Sequence, residues 1–112
     1  MKSLLYMCLF AMTSLGMTIP DSGGCVVEFN ASFNAANSVD WIDELSDCKG
    51  KHIDISVNPE LQSEHKIVVV PTVIVFNDGD EVERFQANIM MQLEATQGGV
   101  QEAVDEIIMS AF

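Results

Sequence analysis

The chain has 112 residues, of which 48% are hydrophobic, so it is long enough to bury the core of one compact domain. It carries 17 acidic and 5 basic residues, which gives a formal net charge of −12. This charge repels phosphate backbones and anionic lipid surfaces, so nucleic acid is not an expected partner. It also opposes self-association, which favours a monomer.

Residues 1–16 have the build of a secretory signal peptide. Lys2 supplies a positive start, an uncharged apolar run follows, and Ser14 and Gly16 are small residues before a cut after Gly16. The run is shorter than the ~20 residues that span a bilayer, so no stable membrane span is expected. Cleavage predicts an exported protein, periplasmic or secreted, with residues 17–24 as a linker. The alternative is a strand or helix packed on the domain of a cytoplasmic protein.

The domain that follows, residues 25–112, begins with a predicted strand. Residues 25–31 are mostly apolar and β-branched without clean alternation, which is typical of a strand covered on both faces. Apolar residues then recur at helical spacing from Val39 to Leu45. They predict an amphipathic helix that ends near Gly50.

A second strand is predicted at residues 52–57, where apolar and polar residues alternate. Asn58-Pro59 then suits the start of a short helix that runs to about His65. Because a helix connects the first two strands, these strands are expected to pair in parallel through a right-handed crossover.

The C-terminal half predicts a hairpin and a last helix. Residues 67–76 form the next strand, and the turn sequence at residues 77–80 returns the chain antiparallel over residues 81–85. Apolar residues at helical spacing predict a final helix that begins just after Gly98-Gly99. The methionines within residues 87–97 are expected to fill gaps in the core. The predicted fold class is α/β, with parallel strands and a C-terminal hairpin in one mixed sheet flanked by helices.

Three segments resemble the thioredoxin family. Residues 26–33 look like the strand that leads into that family's active site, and residues 54–61 are similar to the segment after its second strand. Residues 70–79 resemble its cis-proline loop, strand and turn. The resemblance implies a thioredoxin-like three-layer fold. It also implies a fold truncated at the N-terminus, without the first strand and helix of full-length thioredoxins.

The sequence departs from the family at the catalytic site. Aligned on Ala31, the positions of the family's Cys-Gly-Pro-Cys hold Asn34-Ala35-Ala36-Asn37, and Phe33 stands in for the tryptophan. Dithiol exchange needs a thiolate and a second sulfur that resolves the mixed disulfide. Asparagine supplies neither, so no catalytic residue is expected here. The asparagines are expected to cap a helix instead.

The resemblance assigns roles to further residues. Pro71 corresponds to the cis-proline, which with Val70 and Thr72 leaves backbone groups free to pair with an extended segment. The alternative is an ordinary trans proline on an edge strand. Glu28 aligns with the family's buried acid, and without a thiol to serve it is expected to be a hydrogen-bonded or desolvated carboxyl. The implied binding surface consists of Phe33, Val70, Pro71 and Thr72.

Cys25 and Cys48 remain after the predicted cleavage. Both are expected at the same end of neighbouring parallel strands, so a disulfide is possible if their Cα atoms lie within roughly 7 Å. Two free cysteines are the alternative, and the spacing is not that of a redox motif. His52 and His65 have no partners at metal-ligand spacing, so neither a metal nor another cofactor is expected.

Three functions remain open. The leading hypothesis is a non-catalytic module that uses the loop at residues 33–37 and the Pro71 loop to hold an extended peptide or a partner protein. The second is a thiol-disulfide oxidoreductase in redox homeostasis that uses Cys25 or Cys48 as an isolated thiol. The third is a structural subunit of a larger assembly.

Overall fold

The computed structural model describes residues 19–111. The predicted signal peptide, residues 1–16, and the first part of the predicted linker lie outside the described residues. From the rest of that linker, Ile19 packs against the core, and Gly23 exchanges hydrogen bonds of 2.8 and 3.0 Å with Asp78. Within the described range, no helix is long and apolar enough to cross a bilayer.

Four strands form one mixed sheet. They are β1 (Gly24–Asn30), β2 (Lys49–Asp54), β3 (Thr72–Asn77) and β4 (Asp80–Gln86), in the spatial order β2-β1-β3-β4. β1 and β2 pair in parallel, whereas β3 is antiparallel to both β1 and β4. The two central strands are buried along almost their whole length, which explains why their sequences do not alternate. The predicted mixed sheet with its C-terminal hairpin is confirmed.

Two α-helices flank the sheet, α1 (Pro59–Glu64) and α2 (Gln97–Ser110). A proline occupies the first turn of α1, where its missing N–H costs no helical hydrogen bond. α2 begins three residues before the predicted start, because the Thr96 hydroxyl accepts a hydrogen bond of 3.1 Å from the Gly99 N–H and caps the helix.

Side chains alternate across the sheet and form a core on each face. The first core contains Cys25, Val27, Phe29, Ala31, Ile53, Ile55, Ile67, Val70, Ile74 and Phe76, and Leu61 of α1 packs against it. The second core contains Val26, Val39, Ile42, Leu45, Val73, Val75 and three residues of α2, Val100, Ala103 and Val104. The sheet therefore lies between two covering layers, and the predicted three-layer architecture is confirmed.

The predicted amphipathic helix between β1 and β2 is wrong. Two short 3-10 helices, Ser32–Asn37 and Ile42–Glu44, occupy this segment. An α-helix would direct the Val39 N–H to the Ala35 carbonyl, but this N–H donates to the buried Glu28 carboxylate at 2.6 Å. The apolar residues of the segment still reach the second core, which is why their spacing imitated a helix.

Two strand boundaries also differ from the prediction. β2 spans Lys49–Asp54 instead of residues 52–57, because its first residues pair with β1 from Cys25 onward. Residues 67–70 lie outside the sheet, and the Ile67 N–H donates to the Gln62 carbonyl at 2.9 Å. Ile67 and Val70 are buried in the first core, whereas Val68 is exposed, so the apolar character of this segment does not reflect strand pairing.

Gly50→Ala is expected to lower the free energy of unfolding by about 1–3 kcal/mol. A Cβ at this position would lie 2.6 Å from the Ile42 carbonyl oxygen, so backbone must move. The control is Gly98→Ala in α2, where a Cβ meets nothing within 4 Å and helix propensity predicts a gain of up to about 1 kcal/mol. Urea unfolding followed by the fluorescence of Trp41 measures both. Unchanged stability of G50A would contradict this packing of β2 against the second 3-10 helix.

Candidate functional site

Three segments meet where β1 and β2 end. They are the 3-10 helix Ser32–Asn37, the turn around Val70-Pro71 and the loop at residues 88–92, which follows β4. The Val70–Pro71 peptide bond is cis. The structure therefore brings together the two loops that sequence analysis assigned to the site and adds a third.

Asn34 is the hub of this site. Its side chain is buried, and its Nδ2 donates to Asn30 Oδ1 at 3.2 Å, to the Val70 carbonyl at 3.3 Å and to the Met91 carbonyl at 3.1 Å. Its Oδ1 accepts a hydrogen bond of 2.9 Å from Asn37 Nδ2. The side chain at the position of the family's first cysteine therefore cross-links all three segments.

The two asparagines do not cap a helix, so that expectation is wrong. The residue at the N-cap of the 3-10 helix is Ala31, without a side-chain hydrogen bond, and Asn34 turns inward. An amide offers two N–H donors and one acceptor oxygen, whereas a thiol is a weak donor and a nucleophile. At Asn34 the amide therefore provides a fixed structural link.

Glu28, at the family's buried-acid position, is 1% exposed and hydrogen-bonded through both oxygens. Ser38 Oγ donates to Oε1 at 2.9 Å, the Val39 N–H donates to Oε2, and His52 Nδ1 lies 2.7 Å from Oε1. His52 Nε2 lies 3.4 Å from Asp43 Oδ2. This cluster joins β1, β2 and the irregular segment between them, so Glu28 has a structural role in holding that segment.

An apolar groove lies beside Asn34 and has a volume of about 430 Å³. Phe33, Val68 and Ile89 contribute to its walls and are 76%, 78% and 98% exposed. Large apolar side chains that gather on a surface mark an interaction site. The groove is therefore the candidate functional site of the described part of the chain.

Sequence analysis placed Phe33 and Val70 at this surface but missed Val68 and the loop at residues 88–92. The methionines of that loop were expected in the core, yet Met90 is exposed, so this expectation is wrong. The available signal was the apolar run at residues 89–91 within a polar stretch, because exposed apolar runs of this length point to function.

Pro71 and Thr72 lie behind the groove rather than in its wall. Thr72 is fully buried, and its hydroxyl donates to the Val69 carbonyl at 2.7 Å. The Pro71 carbonyl accepts a hydrogen bond of 3.1 Å from the Ala87 N–H. Of the backbone groups predicted to pair with a substrate, the Val70 N–H has no acceptor among residues 19–111.

Arg84 fixes the turn that precedes the groove wall. Its guanidinium donates to the carbonyls of His65 and Lys66 at 2.6 and 3.0 Å and to Glu81 at 2.8 Å. These bonds tie the end of α1 to the edge strand β4. These hydrogen bonds therefore fix the point at which the chain enters residues 67–70, which form one wall of the groove.

Cys25 and Cys48 are free thiols at the other end of the sheet. Cys25 pairs with Lys49, so the preceding Cys48 points to the opposite face, and the two side chains belong to different cores. This alternation explains why both thiols are free, which is the second of the two alternatives that the sequence left open. From Cys25 to Ala31 the extended chain covers about 20 Å, which separates this thiol from the groove.

Burial raises the pKa of both thiols. For Cys25 the loss of hydration is opposed by the charge of Lys51, and for Cys48 it is reinforced by Cys25 and Asp47. A raised pKa lowers the thiolate fraction at neutral pH, and the thiolate is the reactive species. Neither cysteine has the environment of an activated nucleophile.

No family model and no curated protein matches the chain. Among solved structures, a mutant thioredoxin from Halobacterium salinarum is 22% identical with a TM-score of 0.62, over 84% of this chain and 82% of that chain. The thioredoxin of Fasciola hepatica is 24% identical with a TM-score of 0.56, over 77% and 83%. The thioredoxin of Malassezia sympodialis is 17% identical with a TM-score of 0.56, over 80% and 77%. The chain has the thioredoxin fold.

Asn34→Asp is expected to lower the free energy of unfolding by about 3 kcal/mol or more, because a carboxylate would replace the donor that faces the carbonyls of Val70 and Met91. Asn34→Ala leaves those oxygens unpaired and is expected to cost about 1–3 kcal/mol. The exposed Ala36→Ser is the control and should stay within about 0.5 kcal/mol. Urea unfolding measures all three, and a wild-type stability of N34D would contradict the role of Asn34 as a hub.

In the folded protein, Cys25 is expected to resist iodoacetamide until the chain unfolds, and Cys48, which is half-buried, to react slowly. Because the pKa of Cys48 is raised, the rate at which iodoacetamide alkylates Cys48 should keep increasing with pH above the ordinary titration range of a thiol. Mass spectrometry of the labelled peptides resolves each site, and Cys48→Ser isolates Cys25. Rapid labelling of Cys25 at neutral pH would show that the start of β1 opens.

Proposed function

We propose that this chain binds an extended segment of a partner protein in the groove beside Asn34, without thiol exchange. One observation carries the proposal. The two side chains at the dithiol positions, Asn34 and Asn37, hydrogen-bond to each other at 2.9 Å, and Asn34 also binds the groove wall at Val70. The site keeps its position in the thioredoxin fold but carries a structural link where the nucleophile would be.

The groove supplies binding energy through apolar area. Phe33, Val68 and Ile89 are largely exposed in the free chain, and complete burial of such a side chain is favourable by about 1.5–3 kcal/mol. The walls are also preorganised, because Asn88 Oδ1 accepts two N–H groups of its own loop at 2.9 and 3.2 Å. Little conformational entropy is then lost when a ligand binds.

An extended ligand suits the backbone of this site. The Val70 N–H lies next to the groove, and it can donate to the carbonyl of a bound segment as in strand addition. Main-chain hydrogen bonds of this kind give affinity that does not depend on the ligand's side chains, whereas the apolar walls select a large side chain. The proposed ligand is thus an extended segment with one bulky apolar residue.

The thioredoxin fold by itself favours a second candidate, a thiol-disulfide oxidoreductase that uses Cys25 or Cys48. The positions of these thiols oppose it, because both lie at the far end of the sheet from the groove and burial raises both pKa values. A structural role in a larger assembly stays a prediction.

Selection from a library of random linear peptides should yield peptides that bind the wild type. The Val68→Ser, Ile89→Ser double variant is expected to bind them about tenfold more weakly, because it removes two exposed apolar contacts. Val82→Ser is the matched control, since Val82 is also exposed but lies on β4 outside the groove. Fluorescence anisotropy of labelled peptides measures the affinities.

Two results would overturn the proposal. One is equal affinity of the selected peptides for the double variant and the wild type, which would place the binding surface outside the groove. The other is catalytic reduction of insulin disulfides in the presence of dithiothreitol, which would restore the oxidoreductase reading.

A further inference from the structure

Two carboxylates lie just outside the groove, and each accepts a hydrogen bond from a residue that lines it. On one side, Asp54 accepts hydrogen bonds from Ser32 Oγ at 2.6 Å and from the Ser56 N–H at 2.8 Å, and Ser56 lines the groove. On the other side, Glu94 accepts a hydrogen bond of 2.9 Å from Asn88 Nδ2, and Asn88 also lines the groove. Each carboxylate is therefore attached to one side of the groove.

The sheet sets the distance between these two carboxylates. Asp54 ends β2, and Asn88 with Glu94 follows β4, and these are the two edge strands of the sheet. Three spacings of about 4.8 Å between neighbouring strands place the two sides on the order of 14 Å apart. An extended chain rises about 3.3 Å per residue, so about four residues cover that distance.

The electrostatics of the site favour a cationic ligand. Hydrogen bonds from the Ser32 hydroxyl and from the Ser56 N–H hold the pKa of Asp54 below its usual value, so Asp54 is anionic at neutral pH. Of the two cations that flank the wall at residues 67–70, Arg84 is already bound to Glu81 and Lys66 is exposed. A second copy of this chain does not suit the groove, because two chains with a net charge of −12 repel each other.

We infer that the ligand is an extended basic segment, with a bulky apolar residue midway between two lysines or arginines about four positions apart. This inference rests on the proposed function. The apolar residue occupies the groove beside Phe33 and Val68, and the two cations reach Asp54 and Glu94. Charge complementarity at the two sides thus sets the register of the ligand, and the groove sets its central residue.

A set of labelled synthetic peptides tests the inference. The first has the core Lys-Ser-Leu-Ser-Lys, and the others replace both lysines by serine, both lysines by glutamate, or the leucine by serine. At low salt the first peptide is expected to bind about tenfold more tightly than its neutral counterpart, roughly threefold for each exposed ion pair. The preference should vanish in about 1 M sodium chloride, where the Debye length is about 3 Å.

Protein variants assign the effect to the two carboxylates. Asp54→Asn and Glu94→Gln are each expected to weaken binding of the dibasic peptide about threefold and to leave the neutral peptide unchanged. Glu94 is exposed, and a glutamine oxygen can still accept the hydrogen bond from Asn88 Nδ2, so this variant removes the charge and keeps that contact. Glu106→Gln removes an exposed carboxylate on α2 and should bind like the wild type.

The outcomes separate this inference from the proposed function. Equal binding of the neutral and dibasic peptides would overturn the inference but leave the groove as a peptide site. If Glu106→Gln weakens binding of the dibasic peptide as much as Glu94→Gln does, the preference for this peptide comes from long-range attraction. This result would also overturn the inference. Two further results would overturn both the inference and the proposed function. One is undiminished binding of the peptide in which serine replaces leucine. The other is undiminished binding of all peptides to the Val68→Ser, Ile89→Ser variant.

Discussion

The buried carboxylate of Glu28 directs the path of the chain between β1 and β2. A buried carboxyl group is costly unless it has hydrogen-bond partners, and here the Ser38 hydroxyl and the Val39 N–H donate to it while His52 Nδ1 lies 2.7 Å from it. Both donors come from the segment whose apolar spacing suits an α-helix. Satisfying the carboxylate removes the Val39 N–H from any helical ladder, so the segment divides into two 3-10 helices.

This path determines how the degenerate catalytic positions are used. In the first 3-10 helix, Asn34 turns into the protein, and its amide reaches the carbonyls of Val70 and Met91. The three segments that surround the active site in the thioredoxin fold are thereby held together by hydrogen bonds. These hydrogen bonds give the site a fixed geometry.

The groove combines rigid walls with exposed apolar surface. Arg84 anchors one wall through the carbonyls of His65 and Lys66, and Asn88 closes the opposing loop on itself. The exposed apolar side chains offer surface that a partner can remove from water, and the strongly negative surface restricts which partners approach. Shape and charge are therefore the two properties on which the proposed binding site depends.

The sequence alone determined the central strands, the hairpin and α2, because buried apolar runs, turn residues and helical periodicity are local properties. The family motifs likewise located Phe33 and Val70 beside the degenerate positions. Only the tertiary structure decided the course of residues 32–45 and the opposite faces of Cys25 and Cys48. Apolar spacing reports that a segment is buried, but it does not report which distant donors and acceptors compete for its backbone. In this chain the competing group is the Glu28 carboxylate, which takes the Val39 N–H from 11 positions away and outweighs the local helical preference.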